Sequence, residues 1–150
     1  MNRSRDLGAL LGRILLVVIF IISGLNKISH IAGTEGYMAN VGLPASLLLP
    51  GLILSIVIEL GGGLLIAIGF KTRPIAMIIF LFLIPVTLLF HFLPSRHQAG
   101  PAAMINTIMY MKNLSMMGGL LLLASMGPGA YSIDGRDEIP ALGTGRRAAA

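Results

Sequence analysis

Six side chains able to carry acid–base or ligand-holding chemistry interrupt the long apolar runs of this sequence: Arg13, Lys27, Glu59, His91, Lys112 and Asn113. Glu59 is the most conspicuous, a single carboxylic acid inside the uncharged stretch Ile56 to Leu65. An acid so placed can take up and release a proton, and His91 can act as its basic counterpart. Arg13, Lys27, Lys112 and Asn113 are hydrogen-bond donors of the kind that hold a polar ligand group. Helical spacing sorts them into faces. Arg13 and Lys27, fourteen residues apart, project from one side of a helix, with Ser23 one turn below Lys27. Ser55, Glu59, Gly62, Gly63 and Ile66 form one stripe, so the acid shares its face with small residues that let another helix come close. His91 follows Thr87 by one turn, after Pro85, whose missing N–H frees a backbone carbonyl. Asn106, Tyr110 and Asn113 share a face, with Lys112 beside it.

The elements that position these groups must lie in lipid. Hydrophobic residues make up 55% of the chain and charged residues only 11%, with mean hydropathy +0.88, which is too apolar for a soluble domain of this size. Four segments are long enough to cross a hydrocarbon core of ~30 Å: about Leu7 to Ile28, Leu48 to Phe70, Pro74 to Leu93 and Ala103 to Met126. The expected fold is all-α, a transmembrane four-helix bundle over residues 1–127, with Pro50 among the breakers that precede the second span. A signal peptide is the rival reading of the first segment, but its apolar run is too long and no A-x-A cleavage site follows. Residues 128–150 are polar and small and read as a flexible cytoplasmic tail.

Eight of the eleven Lys and Arg residues fall on the side of the termini and three, Lys27, Arg96 and Lys112, on the other. The bias predicts cytoplasmic termini, with the loops at 30–47 and 94–102 facing outward. The net charge of +5 therefore reports topology, and no basic run interleaved with aromatics points to nucleic acid. Cysteine is absent, which excludes disulfides, CxxC redox pairs and covalent c-type haem attachment. Haem held by histidines is disfavoured, since His30, His91 and His97 are the whole supply and His30 stands at a loop boundary. No metal site is expected. Gly8 and Gly12 form a GxxxG pair that would suit a homo-oligomer, a pattern common in any apolar helix.

The ordered stretches GRILLVVIFIISGLNKI, YMANVGLP, IELGGGLLIAIGFKTR, LFHF, MKNLSMMGGLLLL and SIDG together resemble the DoxX family of small bacterial four-helix membrane proteins, from Gly12 to about Gly135. The resemblance implies a multi-pass inner-membrane protein linked to respiratory or thiol and sulfur redox chemistry. It also implies a membrane oxidoreductase partner, some relatives being subunits of quinone-reducing or quinol-oxidising assemblies. Arg13, Lys27, Glu59, His91, Lys112 and Asn113 are the positions it carries over.

Three functions compete. The first is an accessory subunit that binds a quinone, with Glu59 and His91 moving protons and Arg13, Lys27, Lys112 and Asn113 holding the ligand. The second is a small-solute or proton transporter, against which stands the lack of an inverted repeat. The third is a structural subunit in which Glu59, paired with Arg13, only locks the helices together. The first predicts a cavity floored near Glu59 and flanked by Lys27, His91 and Lys112, whereas the third predicts Glu59 sealed against Arg13.

Overall fold

A computed structural model describes residues 3–137. Four helices are long and apolar enough to span a membrane: α1 (Arg3–Ser29), α3 (Ala45–Ile68), α4 (Thr72–His97) and α5 (Pro101–Met126). A shorter helix, α2 (Ile31–Asn40), lies between the first two spans, and a single turn, α6 (Ile133–Asp137), follows the last. The ends follow from local chemistry. Gly42, Gly69, Gly100 and Gly127 all have positive φ, the conformation glycine adopts without a Cβ penalty, and each stands where one helix must give way to the next segment. Pro101 opens α5 at a position whose N–H would have no partner in any case.

Three boundaries differ from the sequence expectation. The 30–47 loop holds α2. Pro50 does not precede the second span but lies inside it, because α3 already begins at Ala45 behind Pro44. Near the start of a helix a proline interrupts few intrahelical bonds. The third span runs past Leu93 to His97.

Outward faces carry Leu15, Leu25, Ile53, Val57, Leu81 and Leu122, all at least half exposed, as befits helices solvated by lipid. The buried core comes from all four spans: Val17 and Phe20 of α1, Ile66 of α3, Ala76, Ile79 and Leu83 of α4, and Leu120 of α5. The glycines sharing a stripe with Glu59 make the close approach possible. A Cβ on Gly63 would stand 2.9 Å from the Ile21 side chain of α1, and one on Gly62 would stand 3.0 Å from Ile79 of α4. On the facing helix, a Cβ on Gly24 would meet the Leu60 Cβ at 2.7 Å. That contact sets α1 against α3 at the level of Glu59.

Two short stretches depart from α-helical winding. Val57–Gly61 of α3 and Leu88–Phe92 of α4 are π-helical turns, and they contain Glu59 and His91 respectively. Such turns insert an extra residue and redirect the side chains within them, and they concentrate at functional sites.

Candidate functional site

Glu59 is 6% exposed and its carboxylate meets Lys27, whose Nζ lies 2.5 Å from Oε2. Lys27 also donates to Ser23 Oγ, one turn earlier on α1, at 2.8 Å. Glu59 and Lys27 border a cavity of about 460 Å³ that reaches all four spans and α2. His91, Lys112 and Asn113 line it too, so five of the six residues singled out from sequence share one site. Its walls are otherwise mostly aliphatic and aromatic, including Phe20, Leu54, Phe82 and Leu89.

The polar contacts fix much of the local hydrogen bonding. Asn113 Nδ2 donates to Thr87 Oγ1 at 3.0 Å, both residues being buried, and ties α5 to α4. Asn106 Nδ2 donates to Gln98 Oε1 at 2.8 Å, so its Oδ1 is the acceptor facing His91 Nδ1 at 3.4 Å. His91, when neutral, therefore carries its proton on Nδ1 and leaves Nε2 with a free lone pair. Among the described residues Lys112 has only the Met109 thioether, 3.3 Å from Nζ, as a hydrogen-bond partner. Beyond His91, a smaller pocket lined by Pro94, Gln98, Ala102 and Asn106 continues toward the α4–α5 end.

Tyr37 is the residue that sequence reasoning missed. From α2 it donates its hydroxyl to the Phe90 carbonyl, in the π-turn of His91, at 3.0 Å, and its ring lies 5.7 Å from that of Phe90. Partial burial raises the phenol above its usual range, so it remains a donor. Thr34, one turn before it, also lines the cavity, and α2 covers the cavity on that side. The one signal available was YMANVGLP itself, which reads as a loop because its apolar run is too short to span.

Arg13 is not part of this site. It is 2% exposed and donates from Nη1 to the Pro128 carbonyl and from Nη2 to the Tyr131 carbonyl, both at 2.7 Å. The Glu59–Arg13 pairing that the structural-subunit reading predicts does not form, and Glu59 pairs with Lys27. The reason lies in register: fourteen residues of helix put Arg13 roughly 21 Å from Lys27, and the Gly24–Leu60 contact sets Glu59 near the Lys27 end.

Arg13 instead anchors the segment after Gly127, which the sequence expectation leaves free of the bundle. Asp134 accepts from the backbone N–H groups of Lys71 and Thr72, each at 2.8 Å, and its own N–H donates to the Gly69 carbonyl at 2.9 Å. Ser132 is buried beneath it against Gly69. Burial alone would raise the Asp134 carboxyl, but the bonds from Thr72 and Lys71 and the charge of Arg13 outweigh it and hold it below the usual range. A depressed folded pKa makes this anchor fully present above the ordinary carboxylate range and lost only as pH falls through the lowered value. Residues 138–150, the rest of the expected tail, lie outside the described residues.

Comparison with known proteins agrees with this architecture. The DoxX family model matches residues 8–92. The inner membrane protein YqjF of Escherichia coli K12 is 45% identical over 134 residues, 89% of this chain and 95% of that protein. The inner membrane protein YphA of the same organism is 38% identical over 133 residues, 89% of this chain and 92% of that one. A Bacillus subtilis protein named putative oxidoreductase CatD is 34% identical over 84 residues, 56% of this chain and 60% of its own length. No solved structure matches.

Proposed function

The chain belongs to the DoxX family of multi-pass inner-membrane proteins, and from that premise we propose that it is a redox-associated subunit that binds a quinone-class molecule between its spans. The observation that carries the reading is the lining of the cavity: apolar walls on most sides, with Lys27, Glu59, His91, Lys112 and Asn113 reaching it from all four spans. A quinone has that same division between an apolar ring and a pair of polar oxygens. In this reading Lys112 and Asn113 donate hydrogen bonds to the ligand oxygens. His91 Nε2 accepts the proton of a quinol hydroxyl, and Glu59 with Lys27 relays the second. With no cysteine in the chain, electrons pass to or from a cofactor on a partner protein. The name of the Bacillus relative, a putative oxidoreductase, lends support to the redox half of the proposal.

Binding tests it without a known reaction. Purified protein in nanodiscs under reductant is expected to bind a short-chain ubiquinol analogue, whose hydroxyl can donate to His91 Nε2. The His91→Ala variant, with the same thermal stability, should bind it about tenfold more weakly, the loss of one buried hydrogen bond. Equal affinity of the two proteins, or no binding by either, overturns the reading.

The orientation proposed is the one the eight-to-three distribution of Lys and Arg favours, with the Arg13–Asp134 end in the cytoplasm and the cavity in the outer half of the bilayer. A phosphatase fused after Ala150 should be inactive and a fluorescent protein there active. The opposite pattern reverses the topology.

A further inference from the structure

The charges that line the cavity do not cancel. Glu59 is its one carboxylate among the described residues, and Lys27 neutralises it at 2.5 Å. Lys112 is left over. It stands eleven residues into α5, roughly 16 Å from the start of that helix, too deep for the simple outward reach by which a lysine near a helix end finds water. Its neighbours offer no compensation. Met109 gives a thioether, a weak acceptor, at 3.3 Å, the amide of Asn113, which donates one N–H to Thr87, carries no charge, and His91 is itself a base. An ammonium without a counter-charge in a site walled largely by hydrocarbon is unfavourable, and a ligand of opposite charge entering the cavity would complete it.

We propose that the cavity takes its ligand as a monoanion: a quinone-class ring bearing an ionised hydroxyl, with the charged oxygen on the Lys112 ammonium and the ring against the apolar walls. The inference rests on the quinone reading for the ring and on Lys112 for the charge. The Lys27–Glu59 pair is already neutral and leaves the anion to Lys112. His91 in its neutral form supplies no counter-charge, so it does not compete with Lys112 for the anion.

Two naphthoquinones of nearly equal shape separate charge from ring. 2-Hydroxy-1,4-naphthoquinone is ionised at neutral pH, and 2-methoxy-1,4-naphthoquinone is neutral. The unmodified protein in nanodiscs is expected to bind the hydroxy compound at least about tenfold more tightly, the worth of one charge-assisted hydrogen bond. Lys112→Gln should reduce that preference to within about twofold, and Lys112→Arg should keep most of it. Equal binding of the two compounds by the unmodified protein overturns the monoanion proposal while leaving the quinone reading intact, and that comparison needs no variant to fold. A preference that survives in Lys112→Gln overturns the assignment of the charge to Lys112. Binding of 1-naphthoate, lost in Lys112→Gln, together with binding of neither quinone, retains the anion site and removes the quinone ring. Binding of none of the three compounds removes both.

Discussion

Glu59→Gln is expected to destabilise the protein by about 3–5 kcal/mol, because it leaves the Lys27 ammonium largely buried without its counter-charge. The side chain of Lys27 is only 20% exposed and its other partner, Ser23, is neutral. Lys27→Met should do comparable damage from the other side, leaving Glu59, 6% exposed, without a counter-charge in a site that offers it no other cation within bonding distance among the described residues. The double variant Lys27→Met/Glu59→Gln removes both charges together. It should be no less stable than the poorer single variant, so the coupling energy at least equals the smaller single loss, about 3 kcal/mol or more, at or above the top of the usual range for residues in contact. Denaturation of the detergent-solubilised proteins measures all three. Additive losses would mean that the two charges do not depend on each other in the folded protein, whatever their separation. The cycle also separates packing from proton relay: a double variant that regains stability yet fails to support function in cells keeps the fold and lacks only the titrating groups.

The second large effect belongs to Gly24. A methyl group added there would fall 2.7 Å from the Leu60 Cβ and 3.0 Å from the Leu60 backbone nitrogen, and backbone cannot rotate away as a flexible side chain can. Gly24→Ala must therefore push α1 off the π-turn of α3, at a loss of about 1–3 kcal/mol typical of overpacking. It should also loosen the Lys27–Glu59 pair one turn away. Gly12→Ala on the same helix supplies the control. A Cβ there meets nothing within 4 Å, so the exchange should be neutral or favourable by up to about 1 kcal/mol from helix propensity. Thermal unfolding of the two variants decides the matter, and equal behaviour would show that α1 and α3 do not meet at Gly24.

Much of the architecture follows from local sequence alone. Apolar runs of about twenty residues, bounded by KTRP, LPSRHQAGP and GPG, leave lipid as their only solvent and helix as their only conformation. The same locality explains why Glu59, His91, Lys112 and Asn113 are identifiable, since a polar group in such a run needs a partner or a purpose wherever the helix is placed. What spacing along one helix cannot say is how that helix is rotated and slid against its neighbour. Arg13 and Lys27 occupy the same face of α1 and are equal candidates for Glu59 by spacing; the packing of Gly24 on Leu60 and of Gly63 on Ile21 chooses Lys27 and sends Arg13 to the opposite end. The segment containing SIDG reads as solvent-exposed chain because its partners, Arg13 and the Gly69–Thr72 turn, lie more than sixty residues away. Tyr37 reads as a loop residue for a similar reason: the carbonyl it bonds is 53 residues distant, in a π-turn that no hydrophobic period announces. Periodicity is a property of neighbours along the chain, whereas a site built from four spans and a connecting helix is a property of their register, and only the folded bundle determines that.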